Sequence, residues 1–474
     1  MVTKPAVTEP VATKYDAIIL GSGQAGNPLA SALSAKGKRT AMIEQAAVGG
    51  TCINYGCTPT KTLVASAEVA YMARRAMEYG IKLGNVSVDM SSVRERKRGM
   101  VKKWREGSEK RLAEAKLVDL VHGEGSFVGA KTVRVRLNDG GERTLTANLI
   151  VINTGLRANV PQITGLASVP YLDNASVMEL DEVPERLLVL GGGYVGLEFA
   201  QMFRRFGSQV AVVHRGKKLL TNEDSDVADE VANILREDGV EILLEANTES
   251  AAATGKGVRL TVTMNGSSRE LQGTHLLIAT GRSPNTEKLN LPAAGVATDE
   301  RGFIRVNDKL ETSTKGVYAV GDVNGGPAFT HVSYDDFRVL QTNLLEGGNR
   351  SVAGRLFPYC VFIDPQLGRI GLSEYDARKQ GRKVRVARLP MSSVARALET
   401  GRSRGFMKAL VDPQTEEILG AAILGEDGGE IMSMIQIAMM GKLKYTALQS
   451  AIFAHPLFAE SLNNLFSNFP GEAK

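Results

Sequence analysis

Cysteine is scarce in this chain. There are three in 474 residues, at positions 52, 57 and 360, alongside five scattered histidines. A zinc site built on the first two would need a second Cys/His pair at ligand spacing, which neither Cys360 nor the histidines supply. No apolar run is long enough to span a bilayer. The net charge of +5 is small for this length, so charge alone indicates neither nucleic acid nor membrane. Residues Met1 to Lys14 are polar, carry Pro and Thr, and lack the apolar core of a signal peptide; a loose tail is expected over 1–14. Few cysteines and no export signal point to a reducing cytoplasm. What remains is 43% hydrophobic and 23% charged, the composition of a globular chain of about three domains.

The two close cysteines lie in Gly49-Gly-Thr-Cys-Ile-Asn-Tyr-Gly-Cys-Thr-Pro-Thr-Lys61. Gly56 allows a tight bend and Pro59 suits a first helical turn, so Cys57 falls at a helix start, where backbone amides favour thiolate. A thiolate beside a thiol that can re-form the bond carries two electrons. An inert structural disulfide is the competing reading, one that a cytosolic chain rarely keeps.

An electron source is written on both sides of this stretch. Tyr15 to Leu20 is an apolar strand that opens into Gly21-Ser-Gly23-Gln-Ala-Gly26 and an Ala-rich helix. The next strand ends at Glu44, an acid placed for a ribose. A second copy starts at Arg186 to Leu190 and runs into Gly191-Gly-Gly193-Tyr194-Val-Gly196. Glu44 lies 23 positions beyond Gly21; the same step from Gly191 lands on His214, followed by Arg215, Lys217 and Lys218. A cationic cluster in place of the acid suits a 2′-phosphate and favours NADPH over NADH, against the alternative of an ordinary basic loop. Apolar strands ending at Thr154-Gly155 and at Thr280-Gly281 repeat a second device, consistent with an internal duplication.

Val93 to Lys116 reads as a charged helix whose interleaved acids, Glu95, Glu106, Glu109 and Glu114, favour a solvated face over a nucleic-acid patch, with Trp104 packing and not stacking on a base. Near its end the chain carries Gly321-Asp322 after a strand, and later His455-Pro456 with Glu460 five residues on. Gly-Asp is common turn chemistry, and a histidine before proline is common on surfaces. A carboxylate can also orient an imidazole and raise its basicity.

Together these motifs resemble the flavoprotein disulfide reductases, the family of dihydrolipoamide dehydrogenase, glutathione reductase and mercuric reductase, over nearly the whole chain from Tyr15 to Phe469. The resemblance implies an α/β fold with two Rossmann-like dinucleotide-binding domains and an α+β C-terminal dimerisation domain. It implies a discontinuous FAD domain over 15–155 and 282–346, an NAD(P) domain over 156–281, and an interface domain over 347–474. FAD would be held by Gly21, Gly23, Gly26, Glu44, Thr51, Lys61, Thr154, Gly155 and Asp322, and NADPH by Gly191, Gly193, Tyr194, Gly196, His214, Arg215 and Gly281. Cys57 matches the charge-transfer thiol and Cys52 the interchange thiol. Lys61 and Glu198 match an ion pair near the flavin, and His455 and Glu460 match an acid/base dyad contributed by the other subunit of a homodimer.

Electrons would then pass from NADPH through FAD to a Cys52–Cys57 disulfide and on to a disulfide or thiol-reactive acceptor, as in mercuric reductase-like members. No metal ion, nucleic acid or membrane is expected. The chain lacks the C-terminal vicinal cysteine pair and N-terminal Cys-x-x-Cys domain by which mercuric reductases deliver metal. The alternatives are a dihydrolipoamide dehydrogenase using NAD, against which His214-Arg215 weighs, and a non-catalytic FAD-containing binding protein.

Overall fold

The computed structural model describes residues 12–470, and divides into two compact units, each assembled from separated stretches. The first comprises Met1–Thr62, Glu95–Ala158 and Arg282–Gly354. Its centre is an apolar strand, Ala17–Leu20, in which all four residues are buried. Strands Thr40–Glu44 and Leu149–Ile152 flank it in parallel, Val118–Gly129 lies beyond the first and Val317–Ala319 beyond the second. A strand buried throughout must be covered on both faces. Successive side chains therefore enter different cores: Ile18 and Leu20 join Phe127, Val133 and Ile304, while Ala17 and Ile19 join Leu29, Leu33, Phe337 and Leu340.

Val118–Gly129 is long enough to serve twice, running parallel to Thr40–Glu44 and then antiparallel to Thr132–Leu137. The meander ends at Glu142–Thr146, to which Thr13–Lys14 is added in parallel at the edge. The expected loose tail is corrected at this point: Thr13 and Lys14 pair with Leu145 and Thr146, while residues 1–11 lie outside those described.

The second unit comprises Leu63–Arg94, Asn159–Gly281 and Arg355–Lys474. It holds a four-stranded parallel sheet in the order Val240–Leu243, Gln209–Val213, Arg186–Leu190 and His275–Ile278, and a three-stranded antiparallel sheet over 247–273. A five-stranded antiparallel sheet over 359–425 is packed by the helix Gly428–Met440. Within that sheet the strand Phe406–Val411 is buried at every position, including Lys408, whose side chain is 1% exposed. Its ammonium is met by Asp224, Asp226 and Glu374 at 2.9, 2.7 and 2.8 Å. Asp224 also accepts the backbone N–H of Glu374 and Tyr375 at the start of the helix Glu374–Lys379.

The charged helix runs from Met90 to Glu114. Met90, Lys97, Val101, Ser108 and Leu112 form its buried stripe, while Trp104 is 52% exposed. That corrects the expectation that Trp104 packs. At three residues past Val101 and four before Ser108 it shares their side of the helix, but it stands at the edge beside the exposed Lys102, Lys103 and Glu106 and stays exposed itself.

Candidate active site

Each dinucleotide loop is shaped by what its glycines leave out. Gly21 has φ +102°, and a Cβ there would come 2.4 Å from the Asn153 carbonyl; one on Gly26 would come 2.4 Å from the Gly21 carbonyl. In the second loop Gly191 has φ +123°, with a Cβ 2.2 Å from the Ala279 carbonyl, and Gly196 would meet the Gly191 carbonyl at 2.3 Å. The two loops therefore repeat one backbone solution, a tight turn crossing a neighbouring strand end and closed by a helix. Those helices are Gly26–Ala35 and Tyr194–Phe206.

In the first loop Glu44 is buried, takes the Ser22 amide and hydroxyl on one oxygen at 2.9 and 2.7 Å, and the Ala46 amide on the other at 2.9 Å. Lone pairs remain on the carboxylate for a ribose hydroxyl. Ser22 had no role in the sequence-based expectation, and only its position inside the fingerprint signals it. The same hydroxyl accepts the Gly49 amide at 3.1 Å, Gln24 donates to the Gly49 carbonyl at 3.1 Å, and a Cβ on Gly50 would lie 2.7 Å from Gly23 Cα. The redox stretch is thus fastened directly to the first fingerprint.

That stretch forms a short helix, Gly50–Asn54, which carries Thr51 and Cys52, and then the helix Cys57–Arg74, which Cys57 opens. Both cysteines are free thiols, Cys52 half-buried and Cys57 exposed. The Cys52 thiol is pushed far above its ordinary value, first by its hydrogen bond to Cys57 and then by burial. Cys57 itself stands at the positive end of its helix. Cys57 Sγ lies 3.3 Å from Thr330 Oγ1, a partner 273 residues away that no local pattern announces. Lys61 sits one turn beyond Cys57 on the same helix.

Asp322 lies in the 3₁₀ turn Gly321–Asn324. Burial raises its carboxyl above the usual value, although Arg282, 3.6 Å away, opposes this, and Ser333 donates to it at 3.5 Å. At the crossings, Thr154 Oγ1 donates to the Asn285 carbonyl and Asn285 Nδ2 to the Thr154 carbonyl, each at 2.9 Å, with Gly155 at φ +65° and Gly281 at φ +113°. The glycine cradle, the Glu44 acceptor and Asp322 make a donor and acceptor set that fits a flavin dinucleotide in the first unit.

In the second unit Tyr194 opens its helix and packs half-buried against the core. Glu198, on the next turn, is buried and accepts the Phe362 amide at 2.9 Å. The basic cluster divides. Arg215 and Lys217 are exposed, but Lys218 gives its ammonium to the Glu223 carbonyl. His214 is corrected as a cation: burial lowers its pKa from 6.5, the Arg215 charge lowers it further against an opposing Lys218 backbone contact, and Nδ1 accepts the Gly192 amide at 3.2 Å. The imidazole brings no positive charge to this loop.

Near the C-terminus the loop between Tyr445–Ser450 and the turn Phe458–Glu460 does bring the expected dyad together. His455 Nδ1 lies 2.9 Å from Glu460 Oε2, with the imidazole 67% exposed.

Two matched dinucleotide loops, one bearing a dithiol fastened to it and the other followed by exposed basic side chains, define an oxidoreductase that works between a pyridine nucleotide and thiols. The chain belongs to the pyridine nucleotide-disulphide oxidoreductase family: its model matches residues 15–336, and the family's dimerisation domain matches residues 357–466. The probable pyridine nucleotide-disulfide oxidoreductase RclA of Escherichia coli K12 is 39% identical, over 96% of this chain and 99% of the relative. A mercuric reductase of Staphylococcus aureus is 33% identical, over 94% of this chain and 81% of the relative. Among solved structures, the Cu(II) complex of the HOCl-induced flavoprotein disulfide reductase RclA from E. coli superposes with a TM-score of 0.87 at 38% identity, covering 96% and 99% of the two chains. The protein is an FAD-dependent pyridine nucleotide-disulfide oxidoreductase with a dimerisation domain. Among the described residues no helix is long and apolar enough to cross a membrane.

Proposed function

We propose that this oxidoreductase takes its electrons from NADPH and delivers them through Cys52 and Cys57 to a disulfide or thiol-reactive acceptor, in a homodimer whose site is completed by the partner subunit's His455. The observation that carries this is the hydrogen-bonded thiol pair fastened to the first fingerprint. Bound FAD supplies the link between a hydride donor and a thiol pair. The rest falls to side chains. The partner subunit's His455 takes the proton of Cys52, whose thiolate attacks one sulfur of the acceptor disulfide, forming a mixed disulfide and releasing the first thiolate, which takes that proton back from the partner's His455. Cys57 then attacks Cys52, the second thiolate leaves, and the two electrons of the dithiol have moved to the acceptor. With FAD bound, Lys61 and Glu198 would set the charge beside it, and Asp322 and Glu44 would hold its ribityl and ribose hydroxyls.

Two relatives bear on the acceptor. One is a mercuric reductase, and the other has been solved with Cu(II). A dithiol binds soft and thiophilic metal ions, so Hg(II) and copper with excess thiol belong beside disulfides in the acceptor screen. Turnover with quinones alone, surviving Cys52→Ala, would sink the thiol route.

Anaerobic NADPH should produce a thiolate-to-flavin charge-transfer absorbance in the wild type, and Cys57→Ser should abolish it while retaining bound FAD. A Cys57→Ser protein that kept the band would overturn the assignment of Cys57. For coenzyme choice, Arg215→Glu should weaken NADPH by about 100-fold and NADH far less, because a charge-assisted contact to the 2′-phosphate becomes a repulsion. Equal losses in the two dissociation constants would show that Arg215 does not read the phosphate.

A further inference from the structure

The imidazole of His214 is built into the second dinucleotide loop. Its ring is clamped between two glycines: a Cβ on Gly192 would come 2.8 Å from His214 Cγ, and one on Gly216 would come 2.6 Å from Nε2. The backbone around it is pinned, with His214 N–H on the Leu243 carbonyl at 2.8 Å, Ala246 N–H on the His214 carbonyl at 3.0 Å, and Leu220 N–H on the Gly192 carbonyl at 3.0 Å. Within this clamp Nδ1 accepts the Gly192 N–H at 3.2 Å, so the ring proton sits on Nε2, which is shut off from solvent. A doubly protonated ring would place an N–H against the Gly192 N–H, two donors head to head. The loop cannot hold its present shape around a charged His214.

We propose that His214 is a positioning residue for the pyridine nucleotide: as a neutral acceptor it fixes the Gly192 peptide, and with it the turn that meets the pyrophosphate, and its protonation releases that loop and the coenzyme. The proposal rests on the second fingerprint being the pyridine-nucleotide site, and not on which of the two coenzymes is preferred. It also reassigns the basic cluster, since discrimination of a 2′-phosphate falls to Arg215 and Lys217.

The sign of the pH dependence follows from the surroundings. The charged groups on the segments packed around the ring are Arg215, Lys217 and Lys218 on its own loop, and Glu245 on the loop after Val240–Leu243. Burial disfavours the imidazolium, Arg215 adds to this, and the Lys218 backbone opposes it, leaving the pKa below the ordinary 6.5. The coenzyme-binding form is the neutral one. Affinity is therefore full at neutral pH and falls as pH drops through the depressed pKa of His214.

NADH is the probe of choice, because it lacks the 2′-phosphate, which titrates in the same range. In the FAD-loaded enzyme, its dissociation constant should weaken by about tenfold between about pH 7.5 and about pH 5, with FAD content unchanged. His214→Asn places Oδ1 where Nδ1 stands and can accept from Gly192 without titrating; it should bind NADH within about threefold of wild type at about pH 7.5 and lose the acid-side weakening. His214→Leu keeps the bulk without the acceptor, and should weaken NADH and NADPH alike by about tenfold at about pH 7.5. An Asn variant that reproduces the wild-type acid profile overturns the proposal. So does a flavin-loaded Leu variant with wild-type affinity. If the Leu variant fails to hold flavin, the Asn profile alone decides. Wild-type enzyme that binds NADH and NADPH equally would remove the NADPH preference and leave the role of His214 standing.

Discussion

His455→Ala should slow acceptor reduction by about 10²–10⁴-fold while leaving FAD content and the reduction of bound flavin by NADPH unchanged. With Nδ1 directed at Glu460, 2.9 Å away, the imidazole presents Nε2 as its proton-accepting atom, and its exposure leaves that atom open to a partner outside its own loop. Glu460→Gln should cost less, since it removes the polarising charge but keeps an acceptor for Nδ1–H. Assembly is tested by mixing. Inactive His455→Ala subunits combined with inactive Cys52→Ala subunits should regain activity, because one of the two sites in a heterodimer would pair an intact Cys52 with an intact His455. Heterodimers confirmed by mass and still inactive would reject a site shared between subunits.

The second large effect concerns stability. Lys408→Met should lower the unfolding free energy by about 3 kcal/mol, chiefly the cost of leaving the buried Asp224 carboxylate without its counter-charge, since Asp226 and Glu374 are each about a third exposed and screened by water. The sign of its pH dependence is specific. Burial works against the Lys408 ammonium, but hydrogen bonds to Asp226, Glu374 and Asp224 outweigh it and hold its pKa above 10.5; its contribution is present below that value and lost as pH rises through the raised one. Burial likewise works against the Asp224 charge, and Lys408 with the Glu374 and Tyr375 amides outweighs it, holding the carboxyl below 3.8. Its contribution is lost only as pH falls through that lowered value. The wild type should be insensitive to this cluster across the neutral range. The Met variant should instead recover stability on mild acidification, as its crowded carboxylates take up protons. Urea midpoints at several pH values would show this, and a deficit independent of pH would mean that Lys408 matters for packing alone.

The two cases mark where the sequence could be read and where it could not. Both fingerprints were legible because a glycine requirement is local: Gly21 and Gly26, or Gly191 and Gly196, state a backbone conformation within six residues. The cysteine pair was legible for the same reason, its spacing and Pro59 announcing a bend into a helix. Lys408 was not. In Phe406-Met-Lys-Ala-Leu-Val411 a lysine reads as the outward side of an alternating strand, and only partners 182 and 34 residues away explain its burial. His214 was legible as a position but not as a chemical state, because its charge depends on an amide 22 residues earlier that the fold aims at Nδ1. Thr330 beside Cys57, and the pairing of Thr13 and Lys14 with a strand 132 residues on, likewise arise from tertiary closure.

The middle glycine of the second fingerprint differs from its companions. A Cβ at Gly191 or Gly196 would strike backbone oxygen, whereas one at Gly193, where φ is −85°, would meet no atom of the chain within 4 Å. Folding therefore constrains these six residues unevenly. A descendant that abandoned its coenzyme would have to keep the outer two glycines to fold at all, yet would be free to drift at the central one, where only the approaching pyrophosphate excludes a side chain. The outer glycines are inherited with the architecture, and the middle one is renewed by use.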